Sequence, residues 1–320
     1  MMAEKMNFAW GHKRRYNDFG TYMRSHFKGT VQKVSVNAGL TCPNRDGNKG
    51  YGGCTFCNND TFKPTYCQPD IRVKEQLSRG IDLFKAKHPD TKYLAYFQAY
   101  TNTYGDISQL IDLYEEALST PEVIGLIVGT RPDCLPDSLL DYFQDLSKRQ
   151  YLTVELGIES TSDLTLLRVR RGHDYKCTID AVENLVSRGI LTGAHLILGL
   201  PGESRQEMLN HADVISQLPI NFLKVHQLQY VKGSILGADF MKNPEKYEVF
   251  ELDEYIELVV EFITRVRPNI VMERFASQAP YNMLLAPNWK LKNFEMARMV
   301  EKRLEELDVW QGKYWKGSNA

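Results

Sequence analysis

Six short runs dominated by apolar and β-branched residues, each leading into a stretch with helical periodicity, constrain this chain more than any other feature. The runs are 31–38, 93–99, 124–128, 152–156, 194–198 and 222–228. The helical patterns between them cover 73–87, closed by His88-Pro89; 107–118, with Asp106 as N-cap; 136–148; 178–188; and 204–218. The last opens with Ser204-Arg205-Gln206-Glu207, a capping-box pattern. Strands alternating with helices call for right-handed crossovers and a parallel sheet. The expected fold is therefore α/β: a partial (β/α)6 TIM-like barrel, to which 268–272 could add a seventh strand. Beyond residue 230 the rhythm gives way to long amphipathic helices over 253–266 and 291–307. With no repeat or linker in sight, the chain divides into an N-terminal arm (1–29), a core barrel (30–275) and a mainly helical C-terminal extension (276–320) packing on the core.

At 320 residues the chain can bury a substantial core without disulfide staples. Its 43 % hydrophobic and 25 % charged residues exclude wholesale disorder. Thirty-nine Lys and Arg against 40 Asp and Glu exclude a simple polycation, so contact with nucleic acid would need local patches. No apolar run approaches the ~20 residues of a membrane span. Residues 1–15 lack the apolar core of a signal peptide, and the expected localisation is cytoplasmic.

Cysteines in that compartment rarely form lasting disulfides. Three of the six, Cys42, Cys54 and Cys57, are spaced C-x11-C-x2-C directly after the first strand, where the C-terminal strand ends of a barrel carry chemistry. Gly47, Gly50, Gly52 and Gly53 between them let the backbone fold tightly. Structural zinc would want four ligands, yet Cys67 has no C-x2-C partner and no histidine lies between Cys42 and Cys67. Three thiolates fit an iron–sulfur cubane with one open iron better. Cys67, Cys134 and Cys177 read as packed or surface residues.

On these cysteines, with Phe56 just before the last, the chain resembles the radical S-adenosylmethionine (SAM) superfamily. The resemblance implies a [4Fe-4S] cluster whose open iron chelates SAM. It also implies reductive cleavage of SAM to a 5′-deoxyadenosyl radical that abstracts hydrogen from substrate. The usual spacing is C-x3-C-x2-C; longer gaps occur in the subgroup of the elongator catalytic subunit and in a bacterial family of MnmL type. Val154-Glu155-Leu156-Gly157-Ile158-Glu159-Ser160 resembles the E-L-G-x-Q-S segment of that subgroup, which places Glu159 on the SAM ribose. Arg171 matches an arginine that pairs with the SAM carboxylate, and a guanidinium fork suits a carboxylate. Gly199, in Gly199-Leu200-Pro201-Gly202-Glu203, would allow close approach of the adenosyl group. His195 stands where the family often has Asp, as a core histidine or a substrate-facing one. Gln98, Thr101 and Asn102 replace a G-G-E-type segment, and Thr130-Arg131-Pro132-Asp133 resembles a motif lining the cleft, with a surface ion pair as the competing reading for Arg131.

Basic residues at 12–15, 24–28 and 168–171 could form a phosphate-binding rim around the barrel opening, or solvated faces. Glu273-Arg274 would point into the mouth or form a scaffold pair, and Trp289, Trp310, Tyr314 and Trp315 would stack bases or pack the core. The resemblance implies a tRNA substrate, with conversion of a wobble-uridine carboxymethylaminomethyl group to aminomethyl, and a reductant such as flavodoxin or ferredoxin. Two alternatives stay open: a radical SAM enzyme acting on a small molecule or porphyrin, and a zinc-stabilised RNA-binding module without catalysis.

Overall fold

In the computed structural model, which describes residues 8–85 and 89–317, the strands are β1 (Val31–Val36), β2 (Lys92–Phe97), β3 (Val123–Thr130), β4 (Tyr151–Glu159), β5 (Leu191–Leu198), β6 (Phe222–Gln227), β7 (Tyr230–Val231), β8 (Val271–Arg274) and β9 (Leu284–Ala286). Seven form one parallel sheet in the order β1-β2-β3-β4-β5-β6-β8, and β7 pairs antiparallel with β9. The curled sheet is the expected partial TIM-like barrel, with β8 as the seventh strand. The helices are α1 (Phe19–Phe27), α2 (Val73–Lys85), α3 (Ile107–Leu118), α4 (Asp137–Ser147), α5 (Asp163–Arg168), α6 (Tyr175–Ser187), α7 (Arg205–Ile215), α8 (Ile235–Lys242), α9 (Leu252–Arg265) and α10 (Asn293–Glu306). The expected end of α2 at Lys87-His88 lies outside the described residues.

Local chemistry sets the helix starts. Asp106 Oδ1 accepts from Gln109 N–H at 3.1 Å, and Ser204 with Glu207 forms the expected capping box. Helix α6 starts earlier than expected because Asp174 Oδ1 accepts from Cys177 N–H at 2.9 Å. The short elements α5, α8, β7 and β9 have no counterpart in the periodicity; each is too brief to show a full hydrophobic repeat.

Alternate strand residues take opposite sides. Val34, Val36, Leu126, Val128, Val154, Leu156, Leu196, Leu198, Leu223 and Val225 are buried in the large core that also takes residues of α2, α3, α4, α6, α7 and α9. The other side faces the barrel interior, and there the strands carry Lys33, Tyr96, Glu155, His195 and Lys224. Across the open seam of the sheet, Lys33 Nζ of β1 meets Glu273 Oε1 of β8 at 2.5 Å.

Helix α1 is the floor of the barrel. Phe19 and Tyr22 pack edge-on against Phe222, and His26 and Phe27 against Tyr151. Phe222 and Tyr151 are the first residues of β6 and β4, so α1 closes the N-terminal end of the sheet. Asp18 bridges to Met272, and Asn17 O accepts from Met272 N–H at 2.7 Å, which covers the exposed edge of β8. The basic segments 12–15 and 24–28 therefore belong to the end of the barrel opposite the cysteines and do not rim its opening. Within them Arg14 and Arg24 pair with Asp18, and Arg15 with Asp308. Arg15 O also accepts from Gln311 N–H, which ties the arm to the C-terminal segment. Trp289 packs: its ring lies 5.1 Å from Tyr255 and its Nε1 donates to Phe250 O.

Candidate active site

A cavity of about 310 Å³ opens at the C-terminal ends of the strands. One wall is the loop after β1. Within it Arg45 N–H and Asp46 N–H both return to Cys42 O, Gly53 N–H reaches Asn44 O at 2.8 Å, and Cys57 N–H reaches Cys54 O at 3.0 Å. Gly53 has φ +85°, a left-handed conformation that glycine adopts without strain. Cys42, Cys54 and Cys57 all line the cavity. Each sulfur has a nitrogen donor nearby: Arg131 Nη1 4.0 Å from Cys42 Sγ, Asn44 Nδ2 3.4 Å and Arg171 Nη1 3.5 Å from Cys54 Sγ, and Asn59 Nδ2 3.4 Å from Cys57 Sγ. Burial pushes the Cys57 thiol up to about 12, with Cys54 adding to it. Such a thiol ionises when a metal takes its proton's place. Among the described residues, no three His, Cys, Asp or Glu side chains converge tightly enough to hold one metal ion.

Two buried arginines stand behind the thiols. Arg131, 2 % exposed, forms a two-pronged pair with Asp133 at 2.8 and 2.9 Å and donates to Arg171 O at 2.8 Å. Burial alone would raise the Asp133 carboxyl, but Arg131 and Lys49 outweigh it and hold it well below the usual carboxylate range. Arg131 thus both lines the cavity and makes an ion pair, though a buried one. Arg171 donates through Nη2 to Gly157 O at 2.5 Å and lies 3.6 Å from Glu159 Oε1, while its buried Nε has no partner. Glu159 takes φ +69° after a bulge between Gly157 and Glu159, a costly conformation that turns its carboxyl toward the arginine. Burial pushes that carboxyl up against the opposing charge of Arg171. A Cβ on Gly157 would meet Glu159 Oε1 at 2.5 Å and Arg171 Nη2 at 2.8 Å, so only glycine leaves this pair its place.

The remaining sequence-predicted residues divide. Phe56, Gln98, Thr101 and Thr130 line the cavity. Two of them already have partners: Gln98 Nε2 donates to Ser35 Oγ and Phe62 O, and the Thr130 hydroxyl meets that of Thr103 at 2.5 Å. Gly199 does not line it. Its φ is +87°, and a Cβ there would meet the Phe250 ring at 2.6 Å, so this glycine serves a tight turn against an aromatic ring. Of the basic run 168–171, Arg168 caps Pro201 O, Arg170 is exposed and only Arg171 enters the site.

The wall away from the thiols is built from single residues of separate strands. Glu155 Oε2 lies 2.5 Å from Lys224 Nζ and 3.0 Å from His195 Nε2, and its Oε1 3.3 Å from Lys33 Nζ. Burial alone would raise the Glu155 carboxyl; Lys224, Lys33 and His195 outweigh it and hold it well below the usual range. Burial, with Lys224, lowers His195 to about 4, and burial, with Arg274, lowers His226 to about 3. Sequence reasoning missed Asn44, Asn59, Lys33, Lys224 and His226. Lys224 and His226 could have been found as polar residues at alternate positions of an otherwise apolar run.

The profile of the radical SAM superfamily matches residues 41–215, and that of the radical SAM C-terminal domain residues 220–306. The chain belongs to the radical SAM superfamily. It is 33 % identical over 309 residues to the uncharacterized protein YtqA of Bacillus subtilis, covering 95 % of this chain and 94 % of that one. It is 37 % identical over 275 residues to protein YhcC of Escherichia coli, covering 85 % and 87 %. A more distant relative is the tRNA uridine(34) acetyltransferase of Methanocaldococcus infernus, 24 % identical over 191 residues, 57 % of this chain and 33 % of that one. Among solved structures, the Elp3 protein of the same archaeon shares the fold with a TM-score of 0.65 at 18 % identity, covering 88 % of this chain and 64 % of that one. As a radical SAM enzyme the chain works with a [4Fe-4S] cluster and SAM in reductive SAM cleavage. The cavity fits both: three thiols with nitrogen donors around them suit a cluster, and the orphaned Arg171 Nε beside them suits an anionic group. No helix is long and apolar enough to cross a membrane among the described residues.

Proposed function

We propose that Cys42, Cys54 and Cys57 are the three protein ligands of the cluster and that the cavity beside them is where SAM meets a wobble-uridine side chain of tRNA. The observation that carries the ligand assignment is that these three thiols and the arginine with the unpartnered Nε, Arg171, line one cavity at the C-terminal strand ends. When bound and reduced, the cluster supplies the electron for SAM cleavage and hence for hydrogen-atom abstraction from substrate. Arg171 holds the SAM carboxylate through a charge-assisted bond, and Glu159, fixed next to it, accepts from the ribose hydroxyls. Phe56, Thr101, Thr130 and Gln98 shape the walls around the adenosyl group. Arg131, Asn44 and Asn59 direct N–H groups at the sulfurs, which favours the reduced, more negative cluster. A small one-electron protein such as flavodoxin or ferredoxin supplies the electron.

The tRNA reading draws support from the archaeal tRNA uridine(34) acetyltransferase relative; conversion of a carboxymethylaminomethyl side chain to aminomethyl is the reaction that the family resemblance suggests for it. Exposed Arg170 and the cavity-lining Arg45 sit at the opening, where a phosphate backbone would pass. The test is the modified-nucleoside profile of tRNA from a deletion strain. Accumulation of carboxymethylaminomethyluridine, reversed by the wild-type gene and not by a Cys57→Ala gene, is expected; an unchanged profile would sink the tRNA assignment.

A further inference from the structure

The charges inside the barrel do not balance. Lys33, Lys224 and Arg274 are cations facing two carboxylates, Glu155 and Glu273. Both lysines are matched: Lys33 lies 3.3 Å from Glu155 and 2.5 Å from Glu273, and Lys224 lies 2.5 and 3.0 Å from the same two groups. Arg274 has no ion pair and no hydrogen-bond partner among the described residues, and its buried Nε is unsatisfied. The expected Glu273–Arg274 scaffold pair does not form, because both lysines take Glu273.

The backbone places this guanidinium deliberately. Opposite β6, Leu223 pairs with Met272 but Lys224 pairs with Arg274, so β8 carries one extra residue at a bulge. In a regular strand Glu273 and Arg274 would point to opposite faces; the bulge lets both serve the interior. Arg274 lines the cavity together with His195, His226 and Gln227, while the thiols line its other side. A partly buried cation without a counter-charge is costly, and an anion delivered by a ligand removes that cost. Neither ring competes for the anion as a second cation, since burial keeps His195 and His226 neutral near pH 7.

We propose that Arg274, flanked by His195 and His226, is the subsite that receives a carboxylate carried by the substrate. The unmatched charge of Arg274 suits a monoanion, and the planar guanidinium suits a planar acid. A phosphate of the tRNA backbone also pairs with arginine, but it would run along the rim of the cavity and is bulkier than the planar group this subsite suits. This subsite rests on the reading that the cavity beside the thiols is the catalytic one; it does not depend on which nucleoside is the substrate.

The test uses holoprotein with an oxidised cluster and isotope-labelled histidine rings, titrated separately with formate and with inorganic phosphate while the His226 resonance is followed. Formate is expected to give a saturable shift, phosphate a weaker one. Arg274→Gln should weaken the formate response by about tenfold or more, the equivalent of one charge-assisted bond. SAM titration should be unchanged in that variant. Arg274→Lys, which keeps the charge and loses the fork, should fall between. No formate response in the wild type, an equal response in Arg274→Gln, tighter phosphate than formate, or a loss of SAM binding in Arg274→Gln would each overturn the assignment. Should Arg274→Gln not fold, the wild-type comparison of formate with phosphate decides alone. A saturable formate response beside an unchanged tRNA profile would keep the subsite and discard the tRNA; the reverse pair would do the opposite.

Discussion

The two walls of the cavity are built in opposite ways. The thiol wall comes from one continuous loop, Cys42 to Cys57, backed by Arg131 and Arg171 from two others. The far wall takes single side chains from β1, β4, β5, β6 and β8, tied by ion pairs that cross the barrel. A loop can be changed without disturbing the sheet, whereas Lys33, Lys224, Glu155 and Glu273 of the far wall each join more than one strand. Under the proposed assignment the cofactor would sit on the separable wall, and the wall facing the substrate would also hold the barrel together.

The largest expected effect breaks the thiol wall alone. Replacing Cys42, Cys54 or Cys57 by Ala should abolish SAM cleavage while the apoprotein loses no more than about 1 kcal/mol in a denaturant titration. Normal 5′-deoxyadenosine formation in any of the three would remove that residue from the ligand set. Cys67→Ala should keep the cluster, since its Sγ contacts Ser35 O in the packed interior and does not line the cavity. Loss of iron from that variant would expose a missed ligand.

The opposite outcome is expected on the far wall. Glu155→Ala leaves Lys224 and Lys33 with one carboxylate between them and should cost about 3–5 kcal/mol of stability, the range for stripping a partner from a buried ion pair. A change below about 1 kcal/mol would mean that the pairs are solvated and that the two walls do not differ as described.

A smaller effect belongs to the junction of the walls. Arg171→Ala should weaken SAM binding by about 1.5–3 kcal/mol, as for a charge-assisted bond, with the cluster retained. Unchanged SAM titration would remove Arg171 from the cofactor site.

The smallest effect is a pH slope. His195 and His226 are held neutral in the fold at about 4 and about 3, below the 6.5 of an unhindered ring. Between those values the unfolded chain binds more protons than the native one, so stability is full above about pH 6.5 and falls as pH drops toward 4. Glu155, whose folded value is depressed, adds a loss of the same sign below the ordinary carboxylate range. His195→Asn should flatten the upper part of the slope in unfolding titrations at a series of pH values; an unchanged slope would show that His195 is not held neutral by its surroundings.

This contrast also explains what was legible in the sequence. The strands and the crossover helices could be read because the outward face of the core strands is apolar and several helices open on a capping side chain, as at Asp106 and Ser204. The thiol loop could be read because its three cysteines lie close together along the chain. Arg274 was in view with two readings, in the barrel mouth or paired with Glu273, and nothing in Glu273-Arg274 shows that Lys33, 240 residues away, claims the glutamate. The basic segments near the N-terminus looked like a rim because charge carries no address; only the packing of Phe19 on Phe222 places them at the far end. Gly199 fitted its motif but lies against the Phe250 ring and not on the cavity wall, a contact between loops that spacing cannot reveal.

The most direct measurement is the electron paramagnetic resonance spectrum of the reconstituted protein, reduced with dithionite and recorded with and without SAM. A cluster held by Cys42, Cys54 and Cys57 should give a reduced-cluster signal that changes when SAM is added and is absent from the Cys57→Ala variant. A signal indifferent to SAM, or a colourless protein that takes up one zinc per chain, would contradict a three-thiol cluster open to the cavity.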